Sequence, residues 1–297
     1  MFQRFHHPYL LLTLTTLFWS GNMVVGRAIR ADVPPFSLAF WRWCIAFALT
    51  LPIALPYLRE QWPILKCNWR PVVVLGLLGV GGYNTFAYIA LQYTAATNAS
   101  LLNSFIPVAT IALSWLFLKK PMSRLEGLGV VISLAGVTTI VARGNLAALA
   151  ALTINLGDLW MLLAVFVWAF YTIGLHWRPA GVHPMLMLAA FTLVGLTALV
   201  PAYAWEIAQG RVIHTTPAAL AGIAYTGTLP GFLGYIFYNR AVGEVGASRA
   251  SLFIHLMPVF GTALSAIFLA EVPQIYHFVG ISLIFAGIYL TTSQKSA

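Results

Sequence analysis

Residues 99–108 read ASLLNSFIPV, and 151 positions later residues 250–259 read ASLFIHLMPV. The same shift aligns residues 90–142 with residues 241–293 without a gap. Unrelated apolar stretches rarely hold one register for so long. We therefore predict that the chain contains two copies of one structural unit, an internal symmetry that remains detectable in the sequence.

The composition places these copies in a membrane. The 297-residue chain is 60% hydrophobic and only 8% charged, whereas soluble domains carry roughly 25% charged residues. A water-soluble enzyme or binding domain is therefore excluded. The apolar runs are continuous rather than alternating, which favours spanning helices of about 20 residues over barrel strands. We predict an all-α integral membrane protein with ten transmembrane helices, near residues 8–29, 36–57, 71–91, 97–118, 125–142, 157–176, 184–205, 217–240, 248–270 and 274–293.

Five predicted helices fall in each half, which we place at residues 1–145 and 146–297. Because five is an odd number, the second half must enter the membrane from the opposite side, which gives two inverted five-helix repeats. With the N-terminus in the cytoplasm, 11 of the 16 Lys and Arg residues lie on the cytoplasmic side and 4 lie outside. Positive charge concentrates in cytoplasmic loops, so we expect both termini there. Inverted repeats are typical of transporters that bind substrate between the halves, near the midplane of the membrane.

Several short motifs carry a family resemblance. Trp19 in the first helix and the stretches Ala99–Val108 and Ala250–Val259 resemble the EamA-type drug/metabolite transporter (DMT) superfamily. Within it, FWSGN at residues 18–22 and GGYNTF at residues 81–86 resemble bacterial aromatic amino-acid exporters of the YddG type. The resemblance implies export of amino acids of broad side-chain range across the bacterial inner membrane, by alternating access. Efflux of drugs, toxic aromatic cations or other metabolites is the alternative.

A shift of 149 aligns Trp19 with Trp168, each near the middle of a predicted helix. Two such indoles can hold an apolar or aromatic side chain between them, with their N–H groups as donors. Packing against lipid or protein is the alternative. Polar residues inside a membrane cost free energy unless they face protein or water. We therefore predict a water-filled central pocket whose substrate-binding residues are Trp19, Asn22, Tyr83, Asn84, Tyr88, Asn103, Trp168, Tyr171, Tyr235, Tyr238 and His255.

Two further features bear on movement and charge. Pro107 and Pro258 fall in the middle of predicted helices, where proline removes a backbone hydrogen bond and kinks the helix. The kinks are either hinges for gating or fixed features of shape. Arg42 is the single Lys or Arg that lies more than two residues from the end of a predicted helix. We expect its long side chain to snorkel to the outer interface beside Trp41 and Trp43, with a contact to a substrate carboxylate as the alternative.

The sequence lacks the HExxH, GxSxG and P-loop motifs, and it places no carboxylate in the middle of a predicted helix. We therefore expect no enzymatic activity, no catalytic residue, no metal and no cofactor. His255 is the one candidate for a proton relay, so transport is expected to follow gradients with weak or no proton coupling. An intramembrane enzyme and a channel are weaker alternatives. The net charge of +9 reflects basic residues in the loops. The expected partners are amino acids, as small-molecule substrates, and the lipid bilayer, not nucleic acid; a monomer is favoured.

Overall fold

The protein is helical throughout the part of the chain that can be described. The computed structural model covers residues 7–94, 96–120, 122–145, 155–268 and 274–293. No β-strand occurs among these residues, which confirms the all-α fold. Nine helices or stacked helical segments in these ranges are long and apolar enough to cross a membrane. The sequence predicts ten spans, and nine candidate spans are found within the described residues.

The first half begins with helix α1, Pro8–Ala28. We name the two ends of the bundle after it, the Pro8 face and the Ala28 face. Helix α2 ends at Cys67 rather than at the predicted residue 57, so Arg59 and Lys66 lie on a helix and not in a loop. The other helices of this half are α2 (Pro35–Cys67), α3 (Trp69–Gly76), α4 (Tyr83–Tyr93), α5 (Ala96–Asn103), α6 (Ile106–Leu118) and α7 (Arg124–Val141).

The second half repeats this order. Its ninth predicted span, 248–270, consists of two α-helices joined by a 3-10 turn at Phe253–His255, and its last two residues lie outside the described ranges. This break explains why no continuous spanning helix is found there. The helices are α8 (Leu156–Gly174), α9 (Pro184–Ala208), α10 (Pro217–Thr226), α11 (Gly234–Val245), α12 (Ala247–Leu252), α13 (Leu256–Phe268) and α14 (Ile275–Thr292).

Two spans contain a π-helical segment at equivalent positions. Leu77–Gly82 joins α3 to α4, and Gly227–Leu233 joins α10 to α11. The 151-residue shift that relates the halves places the two segments on each other. A π-helical turn widens the helix and is frequent at functional sites. Both halves therefore carry the same irregularity in the helix that faces the other half.

The two predicted kink prolines follow breaks rather than bend continuous helices. The chain turns at Ser104–Phe105 between α5 and α6, and Pro107 occupies the first turn of α6. Pro258 likewise lies in the first turn of α13, directly after the 3-10 turn. A proline in the first turn removes no hydrogen bond that the helix needs, so these positions are unstrained.

Close glycine contacts show that the halves are inverted. Gly129 of α7 packs against the backbone of Gly287 of α14, and Gly136 packs against Gly280. The residue number rises along one helix as it falls along the other, so these repeat-related helices are antiparallel. Small residues allow such close approach of backbones within a membrane.

The repeat-related pair α2 and α9 is antiparallel as well. Near the Ala28 face, the buried Glu206 accepts hydrogen bonds from the backbone N–H groups of Phe36 and Ser37, at 3.2 and 2.7 Å. Near the Pro8 face, the rings of Tyr57 and His183 stack at 3.8 Å. Glu206 caps the N-terminus of α2, where unsatisfied N–H groups favour an anion.

Candidate functional site

Five aromatic side chains meet in the middle of the bundle. They come from α1, α4, α8 and α11, and none is more than 8% exposed. Trp168 contacts the other four rings, at centroid distances from 4.8 Å to 5.6 Å. Distances in this range are those of favourable aromatic pairs. We call this group the central aromatic cluster: Trp19, Tyr83, Trp168, Tyr235 and Tyr238.

Residues that are equivalent in the repeat meet each other in and beside this cluster. Trp19 and Trp168 pack edge to face at 4.9 Å. Asn84 donates to the hydroxyl of Tyr235 at 3.1 Å. The second residue of each pair follows the first by the shift that relates the halves, 149 or 151 positions. The cluster therefore lies on the approximate two-fold axis between the inverted halves.

A tyrosine–asparagine hydrogen bond closes each end of the cluster. On the side of the Ala28 face, the Tyr88 hydroxyl donates to Asn22 Oδ1 at 2.8 Å. On the side of the Pro8 face, the Tyr171 hydroxyl donates to Asn239 Oδ1 at 2.7 Å. The repeat shifts relate Asn22 to Tyr171 and Tyr88 to Asn239, so the two bonds are symmetry mates with their residue types exchanged. We call them the Tyr88–Asn22 latch and the Tyr171–Asn239 latch.

Both latches are closed by their hydrogen bonds, and little space is left between the rings. The space enclosed by the cluster measures about 10 Å³, which is room for about one water molecule. In this conformation the water-filled pocket expected from the sequence is thus reduced to a small closed void. A second cavity of about 850 Å³ opens at the Pro8 face, and Asn239 lies on its wall. We call it the vestibule; its lining includes Lys120, Arg178, Asn239, Arg240 and Ser248.

Arg42 corrects an expectation from the sequence. Its side chain is fully buried and does not snorkel to an interface. The guanidinium Nη1 donates to Asn22 and Asn84 and, at 2.8 Å, to the Tyr88 hydroxyl. Acceptors from α1 and α4 hold it inside the protein, next to the Tyr88–Asn22 latch. Its guanidinium also lies 5.0 Å from the ring centre of Trp43, a favourable cation–π distance.

Two other predicted residues have different surroundings. Asn103 joins the cluster, because it accepts a hydrogen bond from Tyr83 at 2.9 Å. His255 lies at the break between α12 and α13, where its ring nitrogens contact Ser133 Oγ at 2.6 Å and the carbonyl of Ser104 at 2.8 Å. Ser104 and His255 are themselves repeat-related, so this pair also bridges the halves. His255 does not line the closed space within the cluster.

Three residues around the cluster are not among the substrate-binding residues predicted from the sequence. Asn239 forms one latch, Thr172 lies 3.0 Å from the Tyr238 hydroxyl, and Met23 lines the closed space. The repeat shift that carries Tyr88 onto Asn239 was a usable signal for the first of these. Thr172 and Met23 are residue types that membrane helices use widely for packing, so their positions offered no such signal.

Comparison with known proteins places this architecture in a family. The sequence profile of the EamA-like transporter family matches the chain twice, over residues 7–142 and over residues 155–293. The chain belongs to the EamA-like transporter family. It is accordingly a multi-pass membrane transporter, and the two matches agree with the two repeats found in its sequence and fold.

Several relatives of this EamA-like protein match it almost from end to end. An uncharacterized transporter of Archaeoglobus fulgidus is 30% identical, over 97% of this chain and 98% of its own. The uncharacterized transporter YyaM of Bacillus subtilis is 26% identical, over 96% and 93%. A probable terminal-alkyne amino-acid exporter of Streptantibioticus cattleyicolor is also 26% identical, over 94% and 91%. A crystal structure of a protein with 19% identity has the same fold, with a TM-score of 0.77 and 96% of both chains covered.

Proposed function

We propose that this EamA-like transporter exports amino acids of broad side-chain range, including aromatic ones, by alternating access. The observation that carries the proposal is the central aromatic cluster, which both halves build and which a tyrosine–asparagine latch closes at each end. Opening one latch exposes the cluster to the Pro8 face, and opening the other exposes it to the Ala28 face. The halves, residues 1–145 and 146–297, are the bodies that move against each other.

The chemistry of the cluster suits amino-acid side chains of many shapes. Indole and phenol rings offer large apolar faces, and their polar atoms bind without imposing one geometry. The side-chain amides of Asn22, Asn84 and Asn103 lie beside the rings, where their oxygen and NH2 groups can pair with the ammonium and carboxylate groups of a zwitterion. Because the rings and the polar groups are separate, the polar groups can bind the ammonium and carboxylate of any amino acid, while the rings accept side chains of different shapes.

The vestibule supports an orientation for export. Lys120, Arg178 and Arg240 lie on its wall at the Pro8 face, and positive charge favours the cytoplasmic side. We therefore place both termini and the vestibule in the cytoplasm, in a bacterial inner membrane. In this orientation the structure is closed to the outside, with an aqueous approach from within. The relative from Streptantibioticus cattleyicolor, a probable terminal-alkyne amino-acid exporter, supports an amino-acid substrate.

Counterflow in proteoliposomes tests the proposal. Vesicles that contain the purified protein and unlabelled amino acids are expected to accumulate labelled phenylalanine, leucine and alanine. Trp168→Ala removes the ring that contacts the other four. We expect counterflow to fall by about 30-fold, since aromatic residues at the centre of a binding site contribute about 2 kcal/mol or more. Trp115→Ala, at a tryptophan that is 63% exposed on α6, is the matched control.

The outcomes separate amino-acid export from drug efflux. Both variants must remain monodisperse in size-exclusion chromatography, so that a loss of folding is not read as a loss of binding. Counterflow of a lipophilic aromatic cation without counterflow of any amino acid would refute amino-acid export and favour drug efflux. Equal activity of Trp168→Ala and Trp115→Ala would refute the cluster as the binding site.

A further inference from the structure

Arg42 has a donor edge that none of the described residues uses. All three of its acceptors, on Asn22, Asn84 and Tyr88, bind the same nitrogen, Nη1. The other two guanidinium nitrogens, Nε and Nη2, are buried and have no hydrogen-bond partner in the part of the chain that the structure describes. A buried donor without a partner costs free energy, and a buried charge costs more unless it is paired. This arrangement therefore needs an explanation beyond packing.

The two free nitrogens are those that bind a carboxylate in the bidentate mode. The N–H of Nε and the adjacent N–H of Nη2 are parallel, and their spacing matches the two oxygens of a carboxylate. No carboxylate of the described residues forms a salt bridge with Arg42. The cation contacts the rings of Trp43 and Tyr88, at 5.0 and 5.9 Å, which stabilise its charge only in part.

Arg42 lies beside the central aromatic cluster, since its guanidinium contacts Trp43, whose ring packs against Tyr235 at 4.7 Å. Asn22 and Asn84, which bind Nη1, also line the closed space within the cluster. A β-carbon at Gly231 would lie 3.7 Å from Nε, so this nitrogen faces the π-helical segment of the second half. The repeat-related residue of Arg42 is the buried Phe191. The position equivalent to Arg42 in the second half therefore holds an apolar ring in place of a cation.

We infer that the free edge of Arg42 binds the carboxylate of the transported molecule. This inference rests on the proposed function and narrows it: the cargo carries a carboxylate, and its apolar part lies among the rings. A cationic drug without a carboxylate would meet an unpaired guanidinium in a region of low dielectric, and like charges repel strongly there. Arg42 thus selects amino acids and related carboxylic acids against amines.

Binding of four related compounds to the purified protein tests the inference. Phenylalanine and 3-phenylpropionate carry the carboxylate, whereas phenylalaninamide and phenethylamine lack it. The wild type is expected to bind the first two about 10- to 100-fold more tightly, from hydrogen bonds to a charged group. Arg42→Gln should abolish this preference, and Arg42→Lys should keep part of it, because lysine retains the charge and loses the fork. Arg59→Gln, at an exposed arginine of the same helix, is the matched control.

Each result bears on one of the two proposals. A folded Arg42→Gln variant that still prefers phenylalanine to its amide overturns the role of Arg42, even if amino acids are transported. Should Arg42→Gln fail to fold, a wild type that binds phenethylamine as tightly as 3-phenylpropionate overturns it equally. Binding of 3-phenylpropionate by the wild type without counterflow of any amino acid keeps the carboxylate site and refutes amino-acid export.

Discussion

Removal of one hydroxyl group, in Tyr171→Phe, is expected to open the cluster toward the vestibule. The variant loses the 2.7 Å hydrogen bond to Asn239 and keeps the ring, so packing against Trp168 is preserved. A neutral hydrogen bond contributes about 0.5–1.5 kcal/mol, which corresponds to a change of about 2- to 13-fold in the equilibrium between the closed and open latch. The rate at which a reagent added at the Pro8 face labels a thiol behind the latch should rise by the same factor.

The assay uses Met23→Cys, at a residue that lines the closed space, in a protein whose two native cysteines are replaced. A charged, membrane-impermeant thiol reagent is added on the vestibule side only, so that the reagent must pass the latch. Asn239→Leu should raise the labelling rate to the same extent as Tyr171→Phe. The double variant should add nothing further, because both substitutions break one bond. Unchanged labelling in Tyr171→Phe, or additive effects in the double variant, would refute the latch.

Three further predictions concern the rest of the bundle. Tyr88→Phe should raise labelling of the same thiol from the Ala28 face and leave labelling from the vestibule side unchanged; the opposite result would contradict the assignment of the two latches. Gly136→Ala should destabilise the protein by about 1–3 kcal/mol and lower its thermal unfolding temperature, because the added carbon meets the backbone of Gly280. Gly127→Ala is the control: its added carbon meets only the flexible end of Met122, so the unfolding temperature should not change. Glu206→Gln should lower this temperature, since a charged cap of α2 contributes about 1.5–3 kcal/mol through its hydrogen bonds; an unaltered temperature would show that the cap is not needed.

Much of the fold could be predicted from the sequence because a repeat constrains topology. The ungapped alignment and the odd number of helices predict the inversion, which the antiparallel contacts of Gly129 and Gly136 display. The match of Trp19 with Trp168 predicts that residues at equivalent positions are related by the axis between the halves. The predicted span ended at residue 57, because hydropathy detects only the apolar part of a helix. The residues that extend α2 to Cys67 are helical but more polar.

The details of the site were less accessible to sequence reasoning. Hydropathy treats an isolated arginine near a span end as an interfacial anchor, and it gives no sign that Asn84 and Tyr88 will hold Arg42 inside. The closed state of the cluster was likewise not predictable. A carrier sequence encodes both of its end states, and the packing of side chains decides which one is populated.

The two latches differ in one respect, because only the Tyr88–Asn22 latch shares its atoms with a buried arginine. Opening toward the Ala28 face therefore breaks more hydrogen bonds than opening toward the Pro8 face. We expect the unloaded protein to stay closed on the Ala28 side. Cargo that binds the free edge of Arg42 would therefore bind the same side chain that holds this latch together, through different nitrogens.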